Sequence, residues 1–100
     1  LHGDLWAGNW GTLADDSAVV FDPAVYFGDR EADLAMTELF GGFGPTFYSA
    51  YSDTWPLDAG YGTRRNLYNL YHVLNHFNLF GTSYLPQSEQ LILRLLAEVR

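Results

Sequence analysis

The apolar residues fall first into two short β-prone runs and then recur at helical spacing, which divides the chain into a hairpin followed by helices. Trp10 to Leu13 and Val19 to Phe21 are β-prone, and Ala14-Asp15-Asp16-Ser17 between them is turn-like. Asn9 to Val25 therefore reads as a β-hairpin. From Arg30 to Phe40, the residues Ala32, Ala35, Met36, Leu39 and Phe40 share one helical face, and Gly41-Gly42 ends the run. A short helix is expected over Pro45 to about Thr54, with the proline in its first turn, and Trp55-Pro56-Leu57-Asp58 breaks it. A long helix follows from about Gly62 to Phe80. Its apolar stripe is Leu67, Leu70, Tyr71, Leu74 and Phe77, with Arg65, Asn69, His72 and His76 opposite. Gly81 stops it. A last helix starts near Pro86 and carries Leu91, Ile92, Leu95, Leu96 and Val99 on one face. Nothing alternates as a βαβ unit does. The expected class is α+β, mostly α, with one β-hairpin followed by about four helices.

Composition narrows the function more than the fold. With 48% hydrophobic residues and 17% aromatic, the chain has the material for a core and is too apolar for disorder. The formal net charge of −7, with five arginines and no lysine, repels phosphate backbones and anionic bilayers, so neither nucleic acid nor a membrane is an expected partner. No apolar run approaches a transmembrane length. Without cysteine there is no disulfide, thiolate nucleophile or cysteine metal site, which fits a reducing, cytoplasmic setting.

The residues able to do chemistry gather around the hairpin. Asp4 and Asn9 flank the loop before it, and Asp22 follows its second strand. A hairpin brings its ends together, so these three should converge. Two carboxylates and an amide are oxygen donors suited to a hard cation such as Mg²⁺. Asp4 can in addition act as base or orienting group for an attacking hydroxyl, the division of labour found in phosphoryl transfer. Taken singly, an Asp or Asn in a loop is more often a turn former or cap. Trp6, between Asp4 and Asn9, reads either as an exposed ring for a sugar or amine or as an ordinary core aromatic. His72 and His76 share a helical face but lack the intervening Glu of a zinc site. Asn78 falls within the apolar stripe, as a structural tie or a substrate contact. Arg64 and Arg65 read as a solvated face. Pro23 is expected to push Asp22 toward an extended backbone.

The order of these segments resembles a known family. His2-Gly3-Asp4-Leu5-Trp6-Ala7-Gly8-Asn9 is similar to the H-G-D-x-x-x-x-N loop of aminoglycoside-phosphotransferase-like kinases, relatives of protein kinases, whose loop reads H-R-D-x-x-x-x-N. Val20-Phe21-Asp22-Pro23 stands where that superfamily has its second metal aspartate. Glu31-Ala32-Asp33-Leu34-Ala35-Met36-Thr37-Glu38-Leu39-Phe40-Gly41-Gly42-Phe43 and Tyr71 to Gly81 resemble fructosamine (ketosamine) kinases in particular. The resemblance implies a protein-kinase-like C-lobe, ATP as co-substrate, Mg²⁺, and phosphorylation of the 3-hydroxyl of a ketosamine, a deglycation repair reaction. It implies that Asp4 is the catalytic base, that Asn9 and Asp22 are the metal ligands, and that His2 and Asp33 support the loop. Trp6 and Asn78 are the substrate-contact candidates.

The chain opens inside the H-G-D element. It is therefore expected to be a partial C-lobe over residues 1–100 without the amino-terminal lobe. No lysine is present to contact the phosphates, and Gly41-Gly42-Phe43-Gly44 is a helix stop rather than a phosphate loop, so the segment by itself is expected to be inactive. Kinases of aminoglycosides, choline or homoserine share the loop, and a non-catalytic binding domain is the alternative of a different class.

Overall fold

The computed structural model describes residues 1–99. A 3-10 turn at Ala7–Asn9 leads into strands β1 (Trp10–Thr12) and β2 (Ala18–Val20). Four helices follow: α1 (Arg30–Leu39), α2 (Pro45–Thr54), α3 (Tyr61–Phe80) and α4 (Leu85–Glu98), the last entered through a 3-10 turn at Thr82–Tyr84. The strands pair antiparallel with Trp10 opposite Val20, Gly11 opposite Val19 and Thr12 opposite Ala18. The hairpin and the four helices are thus those the sequence pattern predicts.

Helix α1 is the centre of the structure and α3 packs along it, with α4 on the far side of α3. Its first turn is capped by Asp29, whose carboxylate accepts the Glu31 N–H at 3.0 Å and the Tyr68 hydroxyl at 2.7 Å. Ala32, Leu34, Ala35 and Met36 are buried, and Thr37 is fully enclosed, donating its hydroxyl to the Leu34 carbonyl at 2.6 Å. Among the described residues no helix is long and apolar enough to cross a membrane.

Two arginines fasten the ends of the helices. Arg64 of α3 grips the buried Glu31 carboxylate through Nε at 3.0 and 2.9 Å and through its terminal nitrogen at 2.9 Å. It also donates to the carbonyls of Ala59 and Asp58. A buried carboxylate needs such a partner, and removing one side of the pair leaves the other uncompensated. Arg64 is as solvent-exposed as Arg65, at 35%, but its guanidinium is committed to Glu31, which lies beside Ala32 at the start of α1 and points inward. Arg65 is half exposed and lies 3.4 Å from Glu38. Arg30 lies 3.8 Å from the Trp55 ring centre and donates to the carbonyls of Trp55 and Pro56, tying α1 to the end of α2.

Helix α3 differs from its hydrophobic pattern. The residues it buries are Asn66, Asn69, His72 and Val73, whereas Leu67 is 56% and Tyr71 64% exposed. Asn78, placed by the pattern in the apolar stripe, is exposed too. The polar seam turns inward because it finds partners there. His72 Nε2 meets the Ala32 carbonyl at 3.1 Å, and Asn66 Nδ2 donates to Glu98 at 2.9 Å. Hydrogen-bonded polar groups can be buried at little net cost.

His72 is 4% exposed, and burial pushes its pKa below the ordinary 6.5, partly offset by the Ala32 carbonyl. The unfolded chain then binds this proton more tightly than the folded one. Stability is full above about pH 6.5 and declines as the pH falls below it, by up to ~1.4 kcal/mol per pH unit. Urea midpoints measured from pH 8 to 5 should show this decline, and His72→Gln should reduce it; an unchanged midpoint across that range would contradict the burial argument.

Candidate active site

The loop before the hairpin is built on α1. Asp33, in the first turn of α1, accepts the backbone N–H of His2 at 2.8 Å and of Gly3 at 2.9 Å, one on each carboxylate oxygen. The His2 ring then joins two further segments. Its Nδ1 accepts the Asp4 N–H at 3.2 Å, so Nε2 carries the hydrogen and donates to the Phe21 carbonyl at 2.8 Å. The Ala24 N–H returns to the His2 carbonyl at 2.9 Å. Gly3 has φ +86, and a Cβ on it would stand 2.1 Å from the Ala24 carbonyl oxygen. Only glycine permits the loop and the segment after β2 to approach this closely.

Asp4 and Asn9 are brought together directly. Asn9 Nδ2 donates to the Asp4 carbonyl at 2.9 Å and to its Oδ2 at 3.2 Å. Asn9 is 6% exposed, and its nitrogen is committed to Asp4, which leaves Oδ1 as the free acceptor. Asp22 is joined to this pair through the backbone. The Phe21 N–H donates to the Asn9 carbonyl at 3.0 Å, so Asp22 is the next residue along from Asn9's partner. Its side chain is exposed and makes no hydrogen bond among the described residues. The donor set fits a hard cation: one free amide oxygen and one uncommitted carboxylate beside a second carboxylate. Among the described residues no group of three or more His, Cys, Asp or Glu side chains is arranged for a metal, so a cation here would depend on the Asn9 amide.

Asp22 departs from the expectation set by Pro23. Its φ is +53, in the left-handed region rather than extended. The segment is held on both sides, by Phe21 to Asn9 and His2 and by Ala24 to His2, and these bonds outweigh the preference of a pre-proline residue. Aspartate tolerates this region better than most residues.

Beside Asp4 lies a cavity of about 380 Å³ lined by Asp4, Trp6, Phe40, His76, Phe80 and Tyr84. Trp6 is 40% exposed and meets Phe40 edge-on, at 6.4 Å between ring centres. His76 is central to the aromatic wall, 5.1 Å from Phe40, 5.5 Å from Phe80 and 5.3 Å from Tyr84. Its Nδ1 donates to the His72 carbonyl at 2.7 Å, leaving Nε2 as an acceptor. His72 and His76 do not share a metal site, since the His72 Nε2 is occupied by Ala32. Asn78 is not among the residues lining this cavity. Phe80 and Tyr84 were not singled out by the sequence, and Phe40 was read only as part of the apolar face of α1. The spacing of four between His76, Phe80 and Tyr84 was the available signal, because it stacks their rings on one side of the chain.

The structure thus has a loop aspartate paired with an asparagine, an aspartate after β2 and a helix that anchors the loop. The model of one kinase family, described as fructosamine kinase, matches residues 1–98. The chain belongs to the fructosamine kinase family. It is 53% identical over 97 residues to a Vibrio cholerae protein named "Probable ketoamine kinase", covering 97% of this chain and 33% of that protein. It is 49% identical over 92 residues to a chloroplastic protein-ribulosamine 3-kinase of Arabidopsis thaliana, covering 92% and 28%. A crystal structure from Thermobifida fusca, described as a candidate fructosamine-3-kinase, superposes with a TM-score of 0.83 at 42% identity, over 97% of this chain and 34% of that one. The chain thus spans about a third of the length of these relatives.

Two substitutions test the loop. Gly3→Ala should destabilise the chain by at least ~2 kcal/mol, because the obstructing atom is backbone, and thermal melting reads this directly. Asp22→Gly should melt no lower than the unsubstituted protein and up to ~1 kcal/mol more stably than Asp22→Ala, since only glycine relieves the positive φ. An Ala variant as stable as the Gly variant would show that the backbone there is not strained.

Proposed function

We propose that these residues form the hydroxyl-activating part of an ATP-dependent ketosamine kinase, a fructosamine or ribulosamine 3-kinase, within a longer enzyme. The observation that carries this reading is the placement of Asp4. Its backbone is tied to His2, one carboxylate oxygen is engaged by Asn9, and the side chain lines a cavity walled by aromatic rings. The free carboxylate oxygen accepts the proton of the 3-hydroxyl as the hydroxyl oxygen attacks the γ-phosphorus of ATP and the bond to the β-phosphate oxygen breaks, releasing ADP. Trp6, Phe40, Phe80 and Tyr84 offer faces and edges to the sugar and to the cationic amine of a ketosamine, and the negative charge of Asp4 favours that cation.

Asn9 Oδ1 and the Asp22 carboxylate hold Mg²⁺ in this reading. When bound, the ion neutralises charge on the transferring phosphate. His2 and Asp33 touch no substrate. They fix the backbone of the loop, so that Asp4 meets the hydroxyl without reorganising. The phosphate-covering loop and the lysine that phosphoryl transfer requires lie outside these 100 residues, and residues 1–100 by themselves are inactive. The cysteine-free sequence suits cytoplasmic repair of glycated amines. The family match over nearly the whole chain supports a ketosamine rather than an aminoglycoside, choline or homoserine as acceptor.

The test is a substrate panel on a full-length enzyme carrying these residues, with ATP and magnesium. A ketosamine should be phosphorylated and an aminoglycoside and choline should not. Asp4→Asn should lower kcat by ~10²–10⁴ with an unchanged melting temperature. Trp6→Ala should mainly raise KM. Transfer to choline or an aminoglycoside in place of the ketosamine, or full activity in Asp4→Asn, would overturn the assignment.

A further inference from the structure

The candidate site stands on two supports. Asp4 belongs to the loop that Asp33 fastens to α1, through the N–H groups of His2 and Gly3 at 2.8 and 2.9 Å. His76 and Phe80, in the aromatic wall, belong to α3. The geometry across the cavity therefore depends on where α3 lies along α1. The two helices pack together and each buries apolar residues, Ala35 and Val73 completely. Apolar contact is non-directional, and by itself it sets no register between two helices.

One contact between them is directional. Of the polar side chains that α3 buries, Asn66 bonds Glu98 of α4, whereas His72 bonds α1. His72 is 4% exposed, and its Nε2 donates to the Ala32 carbonyl at 3.1 Å. Ala32 directly precedes Asp33, so the bond lands one residue from the anchor of the loop. The His72 carbonyl in turn accepts Nδ1–H of His76, one turn further along α3, at 2.7 Å. A continuous line thus joins Asp4 to the aromatic wall, through the loop, Asp33, Ala32, His72 and His76. A carbonyl oxygen has two lone pairs, so Ala32 keeps its partner within α1 while it accepts from His72. A buried polar contact of this kind specifies register, because a slide in either direction breaks it.

His72 does not line the aromatic cavity, so it acts on the site only through other residues. We propose that His72 is a positioning residue: its bond to the Ala32 carbonyl holds α3 against α1 at the register that sets the aromatic wall opposite Asp4. A slip of α3 by one residue would carry the wall about 1.5 Å along the helix axis. A misplacement of ~1 Å can cost ~10²-fold in rate. The proposal rests on the ketosamine kinase reading for the reaction and adds what aligns its two halves.

The experiment replaces His72 in a full-length enzyme carrying these residues. His72→Gln offers an N–H close to the Nε2 position, whereas His72→Leu fills the space without a donor. Neither touches the main-chain bond to His76. With ATP and a ketosamine, His72→Leu should lower kcat about 10–10²-fold and change KM less than about threefold, since both halves persist and only their alignment is lost. His72→Gln should return kcat to within about threefold of the unsubstituted enzyme. A merely structural role would reduce the folded fraction seen in melting curves and leave kcat per folded molecule unchanged. Nuclear Overhauser contacts between the Phe40 and His76 rings, whose centres are 5.1 Å apart, read the same register without catalysis. They should persist in His72→Gln and weaken in His72→Leu. An unchanged kcat in His72→Leu, a glutamine variant as impaired as the leucine one, or ring contacts unchanged in His72→Leu overturn the proposal and leave the kinase reading standing. If the unsubstituted enzyme transfers no phosphate to a ketosamine, the kinase reading fails and the ring contacts decide the role of His72. Where His72→Leu does not fold, His72→Met takes its place.

Discussion

The structure depends on one carboxylate. Asp33 receives the N–H groups of His2 and Gly3, and through them a loop with no regular structure is fixed to the most buried helix of the chain. Hydrogen bonds to a charged acceptor contribute ~1.5–3 kcal/mol each. What they secure here is geometry. The His2 ring, placed by this anchor, bridges the amide of Asp4 and the carbonyl of Phe21, so one side chain aligns the loop before the hairpin with the turn after it. Helix α1 can bear this role because its own ends are held. Asp29 caps it, Glu31 is gripped by Arg64, and Arg30 lies against Trp55.

The local features of the fold were readable in the sequence. The turn chemistry of Asp15-Asp16, the proline at the start of α2 and Gly41, Gly42 and Gly81 at helix ends act over a few residues, and each element lies within a residue or two of where the pattern puts it. Which way α3 faces was not readable. An apolar stripe tells of burial only if another element arrives to cover it. The partners that turned the polar side inward, Ala32 for His72 and Glu98 for Asn66, stand 40 and 32 positions away. The same holds for Glu31, whose burial depends on an arginine 33 residues later.

The candidate site divides in the same way. Asp4, Asn9 and Asp22 could be named from spacing because a hairpin brings its ends together whatever the rest of the chain does. The aromatic wall could not, since it is assembled from the end of α1, the end of α3 and the entry to α4. Polar residues along the inner side of α3 serve as both fastener and lining. His72 bonds α1, and His76 faces the aromatic cavity.

The positive φ of Asp22 acts as a filter on which amino acids this position can hold. Bulky or β-branched residues are barred by their own backbones, and glutamate loses the local hydrogen-bonding advantage that a shorter acid has in this region. The acceptable set shrinks to glycine, asparagine and aspartate, and aspartate alone among them is charged. Drift at this site would therefore tend to delete the negative charge outright rather than move it outward by a methylene.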